Sequence, residues 1–76
     1  MNETLNREKR YAMCVFLHRK ILDEQAESQK YARLAADAAA VPGLNSVLAG
    51  LERAQKSEIT NLERLYGALC KDMDYV

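Results

Sequence analysis

The order of apolar and polar positions in the chain follows a helical period almost from end to end. In its second half, Leu44, Leu48, Leu51, Gln55, Glu58, Leu62, Leu65 and Leu69 recur at alternating steps of four and three. This heptad seam marks a helix packed nearly parallel or antiparallel to a neighbour. The first half offers a matching seam of Cys14, Leu17, Ile21, Glu24, Ser28, Tyr31, Ala35 and Ala38. A second stripe flanks it, formed by Val15, Phe16, Leu22 and Leu34 in one arm and Val47, Ile59, Tyr66 and Met73 in the other.

Strong breaking signals gather in one interior place, Val41-Pro42-Gly43. Proline suits the first turn of a helix, where its missing N–H is no loss, and a neighbouring glycine eases chain reversal. The pattern predicts an all-α fold: a helix over about 5–40, a turn at 41–43 and a helix over about 44–71, antiparallel as a hairpin. Gly50 and Gly67 weaken the second helix by about 1 kcal/mol each relative to alanine, too little to break it. Two helices make a poor core, and two stripes are more than one hairpin buries against itself. Pairing with a second hairpin covers both, so a homodimer closing a four-helix bundle is expected. Stripe width alone does not set the stoichiometry.

Composition narrows the classes. The chain has 76 residues, enough for a single domain, and 49% are apolar, which excludes a disordered tail. Eleven basic residues balance eleven acidic ones, so no net field steers the chain to nucleic acid or an anionic membrane. Arg7, Lys9, Arg10, Arg19 and Lys20 make a modestly basic start without aromatic interleaving, which reads as a solvated face. There is no apolar run of membrane-spanning length, and the opening MNETLNREKR lacks the apolar stretch of a secretory signal. A cytoplasmic location is the expectation. No Ser–His–Asp set, phosphate loop, GxGxxG or HExxH is present, leaving hydrolytic, kinase and nicotinamide chemistry without support.

The chemical content lies where the seams are not apolar. If the chain reverses near residues 41–42, Glu24 falls level with Ile59, beside Glu58 and one turn from Gln55. Two carboxylates and an amide then converge on one layer. Buried carboxylates need pairing, hydrogen bonds or a cation. A divalent metal held by Glu24, Glu58 and Gln55 satisfies that need, and so does a structural polar layer paired with Lys20, Lys56 or Arg53. Glu52 or Glu27 could join in a different register, but Glu52 falls off the apolar seam. His18, the only histidine, lies six residues from Glu24 and about 240° around the helix, away from this layer.

The stretch from Asp23 to Leu65 resembles the rubrerythrin branch of the ferritin-like superfamily, especially short hairpin members that dimerise into a bundle. The likeness rests on Glu24 seven residues before Tyr31, the alanine-rich helix end, Pro42 opening the next helix, and Asn61-Leu62-Glu63-Arg64-Leu65. The resemblance implies a metal-ligating Glu at Glu24 and a Glu-x-x-His pair in the second helix. Gln55-Lys56-Ser57-Glu58 stands in that place, which departs from the family and gives an all-oxygen donor set. Iron or manganese is the metal the resemblance implies, while an all-oxygen set suits Mg, Ca or Mn better than a di-iron centre. Two readings follow: a ferritin-like hairpin with a carboxylate metal site, or a metal-free dimeric helical module for protein–protein interaction.

Cys14 and Cys70 should meet at the open end of the hairpin. Packed helix axes usually lie 8–10 Å apart, and a disulfide needs Cα atoms within about 7 Å. Two reduced core thiols are therefore the expectation, with a redox clasp as the alternative.

Overall fold

The computed structural model describes residues 6–71. Two helices, α1 (Arg7–Asp37) and α2 (Pro42–Cys70), run antiparallel and pack against each other along their length. No strand occurs among the described residues. The expected start of the first helix at residue 5, and Met73 of the flanking stripe, lie outside the described residues.

Both ends of α1 have local causes. The Asn6 side chain accepts a hydrogen bond from the Lys9 amide at 2.9 Å, filling one of the donor positions a helix start leaves open. The far end comes three residues before the expected one. Residues 38–40 form a turn, tied by Ala39 N–H to Ala36 O at 3.3 Å and Val41 N–H to Ala38 O at 2.9 Å. The proline ring crowds the residue before it, and Val41 sits at φ −120°, ψ 86°, outside the helical region. Pro42 then opens α2 itself, so the reversal lies at 38–41 rather than 41–43. Gly43 belongs to the first turn of α2, and no glycine among the described residues has positive φ. Alanine and the residue before proline make this turn; glycine does not.

The helices are tied at three levels. Next to the turn, Asn45 Nδ2 donates to the Ala35 carbonyl at 2.7 Å. Midway, Gln55 on α2 reaches the acids of α1. At the open end, Arg10 Nε donates to the Leu69 carbonyl at 3.0 Å, and Cys14 is joined to Cys70. That disulfide corrects the expectation of free thiols. The two Cα atoms stand 5.9 Å apart, because both cysteines sit on the facing sides of their helices, where Cα atoms lie closer together than the helix axes. The bond closes a loop with a sequence separation of 56, which restricts the unfolded chain by about 4 kcal/mol on the chain-entropy account. For a hairpin whose buried apolar side chains among the described residues are Cys14, Ala35, Ile59 and Cys70, that is a leading contribution.

The first seam lies where the period placed it, with Cys14, Glu24, Ser28 and Ala35 all buried. The second is rotated by one position. Asn45, Leu48, Glu52, Gln55, Ile59, Leu62, Tyr66 and Cys70 face α1, while Leu44, Leu51, Glu58 and Leu65 are exposed. Leu44, Leu51 and Leu65 of the leucine stripe therefore lie on an outer face of α2, while Leu48 and Leu62 share the helix–helix contact with more polar neighbours. Across the Cα atoms the hairpin measures 53 × 23 × 14 Å, so it is one helix layer thick.

Candidate functional site

The middle layer assembles from residues three and four apart on α1, which share one side of a helix, and from Gln55 opposite. Glu24 is 6% exposed. Its Oε1 accepts a hydrogen bond from Gln55 Nε2, and its Oε2 lies 2.9 Å from Lys20 Nζ. The same Gln55 nitrogen donates to Glu27 Oε1 at 2.9 Å. An amide set between two carboxylates turns its NH2 to both, since its own oxygen would face like partial charge. Lys20 is one turn before Glu24 and brings a full positive charge to the acid's second oxygen. The hydrogen bond and charge of Glu24 raise the Lys20 pKa above 10.5, and Glu58 and Asp23 add to the rise from farther away.

The structure thus brings together two of the three sequence-derived site residues, Glu24 and Gln55. Glu58, the third, is exposed on the outer face of α2. Two residues given lesser weight take part in the interhelix layer. Glu27 shares the Gln55 amide, and Glu52 lies on the seam, paired with Lys56 at 3.0 Å. The signal for Glu52 was its position three before Gln55, the same spacing that repeats along the true seam. Among the described residues, no three His, Cys, Asp or Glu side chains gather as a metal-holding group. His18 stacks at a tilt on Tyr66, with ring centroids 6.1 Å apart. As arranged, both Glu24 oxygens have partners from the chain itself, and no buried side-chain nitrogen or oxygen among the described residues lacks one.

A second feature lies on the surface beside this layer. At the open end, Met13, Phe16 and Leu17 of α1 and Leu65, Ala68 and Leu69 of α2 line an open apolar groove. Phe16 is 62% exposed and Leu65 57%. Leu34 follows Phe16 after five helical turns, so it sits on the same side of α1, and Leu44 and Leu51 share the side of Leu65 on α2. All three are exposed. Between the apolar ends, Lys20, Asp23, Glu27 and Lys30 line a charged depression of both signs. No helix among the described residues is long and apolar enough to cross a membrane.

No family model, curated protein or solved structure matches this chain.

Proposed function

We propose that the chain is a disulfide-stapled helical hairpin that acts as a protein–protein interaction module, pairing with a second copy through its outer apolar face to complete a four-helix bundle. The observation that carries this reading is the single helix layer with large apolar side chains left in solvent. Layered domains bury such side chains between two layers, and this chain supplies one. Its accessible surface is 5623 Å². A compact chain of 8.6 kDa exposes about 4,700 Å². The hairpin is thus more extended than a compact globule of its mass, which leaves its helix sides open to a second layer. Apolar clusters at both ends, a mixed-charge belt between them and zero net charge make the face compatible with itself.

Sedimentation equilibrium of the oxidised chain tests this. A dimer is expected at micromolar concentration, and Leu65→Glu should weaken it at least tenfold while the helical circular dichroism stays. A monomer at all concentrations contradicts the reading.

A second reading, the ferritin-like carboxylate metal site, is favoured by the convergence of Glu24 and Glu27 on one layer. It requires iron or manganese to displace the Lys20 ammonium and the Gln55 amide turned to offer its oxygen. An anaerobic Fe(II) and Mn(II) titration separates the two. Saturable uptake lost in Glu24→Ala supports the metal site; no uptake at millimolar metal supports the module. A cytoplasmic location, expected from the sequence, would set reducing conditions against the Cys14–Cys70 bond, which makes the response of that bond to reduction a property of interest.

A further inference from the structure

We propose that the Cys14–Cys70 pair is a redox-responsive clamp on the apolar groove: joined, it holds the open end of the hairpin together and the groove formed; reduced, it lets the helix ends part and dismantles the groove. That the groove docks a second copy rests on the reading above, whereas the clamp rests on where the cysteines stand.

Every residue of the groove lies within about one and a half turns of one of the two sulfurs. Met13, Phe16 and Leu17 surround Cys14 on α1, and Leu65, Ala68 and Leu69 lead up to Cys70 on α2. The groove spans both helices, so its shape depends on how closely these two segments are held. The bond fixes their Cα atoms 5.9 Å apart. On reduction the sulfurs retreat to van der Waals distance, and no covalent link then sets the separation of the two segments.

The other interhelix ties divide unequally. The Asn45–Ala35 and Gln55–Glu24 hydrogen bonds hold the turn end and the middle, and neither depends on the cysteines. The open end keeps the Arg10–Leu69 hydrogen bond, whose acceptor is a carbonyl in the last turn of α2, and the tilted His18–Tyr66 ring contact about one turn inward, both non-covalent. Release of the disulfide therefore acts first on the groove.

Access follows from position. Cys14 is fully buried and Cys70 is 2% exposed, but Cys70 is the last residue of α2, and helix ends fray. A dithiol reductant supplies the chemistry. Its thiolate attacks Cys70 Sγ, forms a mixed disulfide and releases the Cys14 thiolate, which takes up a proton. The second reductant thiol then displaces Cys70, leaving the reductant as a disulfide and both cysteines as thiols. Two electrons and two protons pass to the chain.

Amide hydrogen exchange of the full chain, oxidised and in dithiothreitol, with Cys14→Ser/Cys70→Ser as a reductant-free counterpart, tests the clamp. Sedimentation is run on the same samples. On reduction, exchange at residues 10–17 and 65–70 should accelerate at least tenfold more than at residues 24–35 and 45–59, and the dimer should weaken at least tenfold. Unchanged exchange at the open end overturns the proposal. Equal acceleration along both helices also overturns it, because the bond then acts on the hairpin as a whole and not on its open end. An oxidised chain that stays monomeric, yet opens at that end on reduction, supports the clamp and overturns the docking reading.

Discussion

Lys20, Glu24, Gln55 and Glu27 form a chain of alternating donors and acceptors across the two helices. The arrangement has a direct electrostatic consequence. Because Glu24 favours the charged ammonium, Lys20 is more easily protonated in the folded chain than in the unfolded one. Its contribution to stability is fully present below pH 10.5 and is lost as pH rises through the higher folded value. Nitrogen-detected NMR should find Lys20 titrating above 10.5, and Glu24→Gln should bring it back toward that value. The polar layer also has an asymmetric energetics. Gln55→Leu removes a donor from the nearly buried Glu24 and should cost about 1–3 kcal/mol. Glu24→Leu with Gln55→Leu replaces both partners by apolar packing, and chemical denaturation should find that double variant at least as stable as the original. Glu24 and Gln55 could be read from the sequence because polar residues interrupting an apolar seam must face something. Lys20 was legible among the candidate cations, as the i, i−4 neighbour of Glu24. Glu58 was misplaced because its seam was taken from the leucines.

Those leucines show what periodicity reports at the level of a helix. A heptad stripe says that one side of α2 is to be buried, and leaves open by what. Leu44, Leu51 and Leu65 form the stronger stripe but point away from α1, while Asn45, Glu52, Gln55 and Tyr66 make the actual contact. In α1 the small residues Cys14, Ser28 and Ala35 fit only a close-packed side, so the pattern and the contact coincide there. The helix ends divide in the same way. Pro42 announced the start of α2, whereas the early stop of α1 at Asp37 falls in an alanine-rich stretch with no breaking residue, and only Val41 is held out of the helical region by the proline. Gly67 offers a clean test of the element itself. It lies inside α2 with negative φ and nothing within 4 Å of the place a Cβ would occupy. Gly67→Ala should therefore stabilise the hairpin by about 0.5–1 kcal/mol in thermal or chemical denaturation. Asn45→Ala should cost about 1 kcal/mol, by removing its tie to the Ala35 carbonyl.

The whole molecule is a plank, 14 Å thin, with large apolar side chains such as Phe16, Leu22, Val47 and Leu65 exposed along both helices. A monomer of this shape lacks the second layer that a core requires, and the disulfide offsets part of that lack by limiting the unfolded chain. The staple, and the pairing proposed above, answer one shortage of core. The account's central claim is that a second copy supplies the missing layer, and the intermolecular contact itself is its most direct observable. Isotope-filtered NOE spectra of an equimolar mixture of labelled and unlabelled oxidised chains would report it. Cross-peaks between chains should connect the Phe16 ring and Leu65 methyls of one copy to apolar protons of the other. A spectrum without intermolecular cross-peaks at millimolar concentration would contradict the account.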